Sequence, residues 1–129
     1  MAQLSDNARA LFDAKTYATV ATVEPDGTPQ LSVVWVTRDG DDVLFSTTGD
    51  RRKARNLARN PRVTVLAMPE GNPFAYVEIR GTASVTEDED RGFVDSVSRK
   101  YTGAPYSNDG PDTVRLIVRV TPERVVERI

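Results

Sequence analysis

Neither cysteine nor histidine occurs among the 129 residues. Without cysteine there is no disulfide framework, no thiolate nucleophile and no zinc–thiolate site. Without histidine the commonest general base, the usual Ser/His/Asp triad and the commonest zinc or iron ligand are also excluded. Chemistry here runs on carboxylates, hydroxyls and cations, or is supplied by a bound cofactor. Aromatic residues are few, with four Phe, four Tyr and one Trp, and hydrophobic residues make up 39%, enough for one modest core. Long apolar runs are missing: Val33 to Val36 is far too short to span a bilayer. The polar start, Met1 to Asp6, has no basic residues leading into an apolar stretch, so no secretory signal is read there. The expectation is a cytoplasmic protein with no membrane partner, folded as one domain over residues 1–129. Seventeen Lys and Arg against 19 Asp and Glu give a net charge of -2, which argues against general coating of nucleic acid.

No internal repeat or low-complexity linker is visible. Ser5 to Ala14 reads as a short helix, capped by Ser5 or Asp6, with Ala8, Leu11 and Phe12 on one face. Tyr17 to Val23, Gln30 to Thr37 and Val43 to Thr48 read as strands. The turns Glu24-Pro25-Asp26-Gly27 and Asp39-Gly40-Asp41 join them into an expected antiparallel meander. Asp50 to Asn60 reads as a helix with Asp50 as N-cap, stopped by Pro61. Arg62 to Met68 and Phe74 to Val85 are further strands, Gly81 marking a bend or bulge. Glu87 to Lys100 reads as a helix capped by Thr86, and Tyr101 to Asp112 as a Gly/Pro loop. Thr113 to Thr121 is a sixth strand, interrupted by Pro122, with Arg124 to Ile129 as a short edge. The fold class is therefore mainly β with short helices, six or seven antiparallel strands closing or nearly closing into a barrel.

The strongest signal is electrostatic. Arg51, Arg52, Lys53, Arg55, Arg59 and Arg62 place six cations and no acid in twelve residues, while the remainder carries 11 cations against 19 anions. Three of the six crowd the first helical turn, where the helix dipole is already positive. Arg51/Arg55 and Arg55/Arg59 are like-charge pairs at i,i+4. An anion resolves the conflict: first-turn amides and guanidinium groups hold a phosphate together, with Thr47 and Thr48 as hydroxyl donors. Arg59 and Arg62 read instead as solvated or paired with carboxylates. No aromatic residue lies between Arg51 and Arg62 to stack on bases, so nucleic acid is not an expected partner.

The segment Leu44-Phe45-Ser46-Thr47-Thr48-Gly49-Asp50-Arg51-Arg52-Lys53-Ala54-Arg55-Asn56-Leu57 resembles the pyridoxamine 5'-phosphate oxidase-like flavin-binding split barrels. More narrowly it is similar to the small actinobacterial branch that uses the deazaflavin coenzyme F420. Tyr17 to Thr22, Gly27-Thr28-Pro29-Gln30, Val34-Trp35-Val36, Asn60-Pro61-Arg62-Val63, Gly81-Thr82-Ala83 and Thr121 to Val125 carry the same resemblance, in order, along essentially the whole chain. It implies a homodimer of split barrels with the cofactor ring at the subunit interface. It implies that Arg52 and Lys53, with Arg51 and Arg55 beside them, meet the cofactor phosphate. Ser32, Val33 and Val34 would line the ring, Ser46 and Thr47 the ribityl chain and phosphate, and Tyr76 would reach the cofactor across the interface. The chain is shorter than true pyridoxamine phosphate oxidases and lacks their C-terminal Arg and His residues, so oxidation of vitamin B6 is not the expected reaction.

A cofactor that moves hydride itself is compatible with a chain that has no histidine. The implied activity is hydride transfer between coenzyme F420, or FMN, and a small unsaturated or heteroaromatic substrate, with the final proton from water or a Tyr. The preference for F420 rests on the surplus cations, which suit its anionic oligoglutamate tail. It also rests on the excess of Arg over Lys, 14 to 3, read as the bias of a GC-rich bacterial genome. The alternative is a carrier or sensor that binds a flavin or deazaflavin without turnover. Trp35 reads equally as barrel core and as a wall for the ring.

Overall fold

The computed structural model describes residues 2–129. Helix α1, Asp6–Asp13, is capped as expected: the Ser5 hydroxyl accepts the Ala8 N–H at 3.1 Å, and Ala8, Leu11 and Phe12 are buried. Strands β1 (Tyr17–Val23), β2 (Pro29–Trp35), β3 (Thr37–Asp39), β4 (Asp42–Thr48), β5 (Arg62–Ala67), β6 (Tyr76–Glu87) and β7 (Arg115–Arg128) form one seven-stranded antiparallel sheet. Helix α2, Arg52–Arg59, follows β4, and α3, Gly92–Thr102, follows β6. The sheet curls into a half-barrel, the split-barrel class expected from the strand pattern. Its core gathers one side of every strand but β3, including Val20, Val65, Ile79, Val118 and Val120, around Phe12 and Phe45. The alternation of buried and open positions, as in Val63, Val65 and Ala67 of β5, is the two-residue period of a strand with one covered face.

The strand order is β2-β1-β5-β6-β7-β4-β3. The expected meander therefore fails at its third strand: β4 pairs with β7 and β3, and β2 pairs only with β1. The stretch read as one strand, Gln30 to Thr37, is broken at Val36 into β2 and β3, which are the two ends of the sheet. The Val36 N–H goes to the Tyr101 hydroxyl at 3.0 Å, and its carbonyl takes the Lys100 ammonium at 2.7 Å. Both partners sit on the last turn of α3, so Tyr101 belongs to a helix and not to the loop expected there.

Two other boundaries differ. Thr86 does not cap α3: the Asp88 carboxylate accepts the N–H groups of Phe93 and Val94 at 3.2 and 2.9 Å, and the helix starts later. Pro122 does not end the last strand. It faces Gly81 at a bulge between Arg80 and Gly81, and β7 runs through. A Cβ on Gly81 would lie 2.2 Å from the Thr121 carbonyl oxygen, so only glycine lets the strands approach there. A proline without an N–H is tolerated opposite such an irregularity.

Candidate functional site

The break at Val36 creates the site. Since β3 pairs only with Asp42, Val43 and Leu44, the edge of β4 from Phe45 onward has no strand partner on its β3 side. The edge of β2 away from β1 is likewise unpaired. Between these two open edges lies a cleft of about 430 Å³. Val33, Val34 and Trp35 line it from β2, Ser46, Thr47 and Thr48 from β4. Arg51 and Lys53 close one end, and Tyr106 and Arg115 form a wall. The cleft extends past Thr48 and Arg51 into a second groove of about 580 Å³ that includes Gly49, Gly110 and Thr113.

The cations divide by environment. Lys53 is partly buried, and neither it nor Arg51 makes an ion pair among the described residues. Burial, then the guanidinium groups of Arg51 and Arg115, hold the Lys53 ammonium below the ordinary lysine pKa. Arg51 is the N-cap of α2 and gives the first-turn amides no side-chain acceptor. Asp50 is not the cap; its carboxylate accepts the Thr48 hydroxyl at 2.5 Å. That leaves the Thr47 hydroxyl. Thr47 is 3% exposed, lines the cleft, and its Oγ1 has no hydrogen-bond partner among the described residues. A buried hydroxyl without a partner is costly. Together with a desolvated ammonium beside two guanidinium groups, it suits a multiply charged oxyanion.

The other expected residues lie elsewhere. Arg52 is outside the cleft lining and approaches Glu24 at 3.7 Å. Arg55 donates to the Asp50 carbonyl at 2.8 Å, and Arg59 to the Val23 carbonyl and, at 3.3 Å, to Asn56. Ser32 does not line the cleft, although its Oγ is also buried without a partner. Tyr76 opens β6 opposite Arg128 and lines no part of the cleft. Trp35 is at the cleft, stacked on Tyr101 with ring centroids 5.1 Å apart.

Arg115 was not legible as a site residue. It begins β7 opposite Thr48, with its side chain 9% exposed. Asp109 grips it with two bonds of 2.7 and 2.8 Å, its Nη1 donates to Ser46 at 3.3 Å, and its guanidinium lies 4.5 Å over the Tyr106 ring. Asp109 also takes Arg91 at 2.6 Å, and these partners, Arg115 first, pull its pKa down to about 2. The segment expected to be a Gly/Pro loop is thus tied to the N-cap of α3 and to β7. Only the singly spaced Arg115 at a strand start signalled this in the sequence, and nothing local distinguishes it from a surface arginine.

No group of three or more acids suited to a metal ion is found among the described residues, and no helix there is long and apolar enough to cross a membrane. In sequence, the family described as Pyridoxamine 5'-phosphate oxidase matches residues 4–128. Among solved structures, an F420 reductase is 30% identical, superposes with a TM-score of 0.86, and is covered over 100% of its length by 97% of this chain. The conserved hypothetical protein Rv2991 from Mycobacterium tuberculosis is 26% identical, with a TM-score of 0.76 over 97% of this chain and 88% of its own. General Stress Protein 26 from Bacillus anthracis, 19% identical with a TM-score of 0.67 over 90% and 86% of the two chains, shares the fold. With nearly every residue from Leu4 onward matched and the half-barrel reproduced in these structures, the chain belongs to the pyridoxamine 5'-phosphate oxidase family.

Proposed function

We propose that this chain is an oxidoreductase that binds coenzyme F420, or else FMN, in the cleft between β2 and β4, and reduces a small unsaturated or heteroaromatic substrate. The unpartnered Thr47 hydroxyl, in the cleft that the Lys53 ammonium also lines, is the observation that carries this reading. Lys53, Arg51, Thr47 and the first amides of α2 would hold the phosphate. The β2 edge, with Val33, Val34 and Trp35, would face the ring. When bound, a flavin or deazaflavin supplies hydride transfer, and the residues around it orient it and exclude water. The resemblance to an F420 reductase supports the deazaflavin. Titration with each coenzyme tests the reading: F420 binds more tightly than FMN and, once reduced, is reoxidised by an electron-poor acceptor. Tight binding without turnover would instead identify a carrier, and no binding of either coenzyme would defeat the assignment.

The same reading includes a homodimer. Leu31 and Val33 of β2, Leu66 of β5 and the neighbouring Tyr17, Met68 and Phe74 are exposed, with Val33 at 65% and Phe74 at 85%. Val33, Thr19 and Leu66 stand in one cross-strand row, so the apolar positions share one face of the sheet. A contiguous apolar face of this kind marks an interaction surface. Val33 and Tyr17 also line the cleft, which supports a ring site at that seam. Sedimentation is expected to give twice the chain mass of 14.2 kDa, with Val33→Asp shifting it to a monomer; a monomeric parent protein would refute the dimer.

A further inference from the structure

We infer that Tyr101 is a positioning residue, which with Lys100 fixes the end of β2 and so sets the apolar wall of the cleft for a ring. This rests on the proposed function and names a residue outside the cleft lining. At Val36 the chain leaves β2, and its N–H and C=O lie on the β1 side of the strand, opposite Thr16, by the same alternation that pairs Glu24 with Thr28. A backbone N–H and C=O must be satisfied once buried, and those of Val36, which is 0% exposed, are both taken by α3. The Tyr101 hydroxyl accepts the Val36 N–H at 3.0 Å and donates to the Thr16 carbonyl at 2.5 Å, just before β1. Lys100 bridges the carbonyls of Val36 and Phe12 at 2.7 and 2.8 Å. One pair of side chains therefore ties the corner of the sheet to α1, to the start of β1 and to α3.

The Tyr101 ring adds a second restraint. It stacks on Trp35 at 5.1 Å with an interplanar angle of 9°, and Tyr17 packs on its other flank at 5.9 Å. Trp35 and Tyr17 both line the cleft, whereas Tyr101 does not. Tyr101 thus sets the placement of the apolar wall without reaching the anion end, where Lys53 and Thr47 lie. A residue with only a structural role would weaken all ligands alike. A residue that positions the ring wall separates ring binding from anion binding.

The test uses Tyr101→Phe, which keeps the stacked ring and removes the hydroxyl. Affinity for whichever coenzyme binds the parent protein, and for its phosphate-free ring compound (riboflavin for FMN, the corresponding deazaflavin for F420), is expected to fall about tenfold. Affinity for inorganic phosphate is expected to stay within twofold, and Trp35, the only tryptophan, reports both titrations by its emission. Amide hydrogen exchange at Val36 is expected to accelerate at least tenfold while core amides such as Val65 are unchanged. Equal losses for ring and phosphate ligands, or unchanged ring affinity, would overturn the inference. If the parent protein binds neither coenzyme, the functional reading fails on its own. Val36 exchange then still decides the restraint: selective acceleration upholds it and an unchanged rate overturns it.

Discussion

Replacing Lys53 and Arg51 together with alanine is expected to weaken coenzyme binding by about 2–4 kcal/mol, roughly 30- to 1,000-fold. Each would contribute charge-assisted hydrogen bonds to an oxyanion under the proposed reading, and neither has a carboxylate partner among the described residues to compete for it. The phosphate-free ring compound is expected to lose less than twofold, because the ring wall is untouched. Arg52→Ala is the informative control. The helix start made Arg52 as good a candidate as Lys53, but Arg52 leans toward Glu24 outside the cleft, so its removal is expected to change affinity by less than twofold. The pH dependence has a definite sign. The free Lys53 ammonium titrates below the ordinary lysine value, and an anion bound beside it would raise that pKa. Affinity is therefore full below the depressed free value and declines as the pH rises through it. An affinity that is level through that range in the parent protein, or an undiminished affinity in the double variant, would remove Lys53 from the site.

The largest single effect on stability is expected at Asp109. Asp109→Asn should cost about 2 kcal/mol at neutral pH, since it leaves the 9%-exposed Arg115 guanidinium without its counter-charge. Arg91, at 34% side-chain exposure, can turn to water and contributes less. The carboxyl is held down to about 2 in the folded protein, against an ordinary value near 3.8. Its stabilisation is thus present above the unfolded value and is lost as the pH falls toward the folded one. Urea denaturation of parent and variant should differ fully at pH 7 and converge as the pH drops from about 4 to about 2. A gap that persists unchanged at the acid end would show that Asp109 acts through packing and not through its charge.

Much of the sheet was readable because its causes are local. Val63, Val65 and Ala67 alternate with open positions, and Ser5 stands before a helical repeat; each pattern lies within one segment. The misplaced boundaries share a different cause. Thr86 and Asp50 are good caps by type, but Asp88 takes the first amides of α3, and the Thr48 hydroxyl engages the Asp50 carboxylate while Arg51 stands at the cap of α2. Pro122 looks like a strand end until Gly81 is seen opposite it. Of the residues expected at the cofactor within one chain, Val33, Val34, Ser46, Thr47, Arg51 and Lys53 come together at one cleft, whereas Ser32, Arg52 and Arg55 do not line it.

Residue order alone settled the strand-rich class, the family pattern and the cation-rich start of α2, because charge density and periodicity are properties of contiguous stretches. Folding in three dimensions chose among the cations, brought Arg115 to Ser46, and split one apparent strand at Val36. Those outcomes rest on contacts between distant groups. Tyr101 and Lys100 hold the Val36 backbone from 65 and 64 residues away, and no short window of residues contains both sides of that contact.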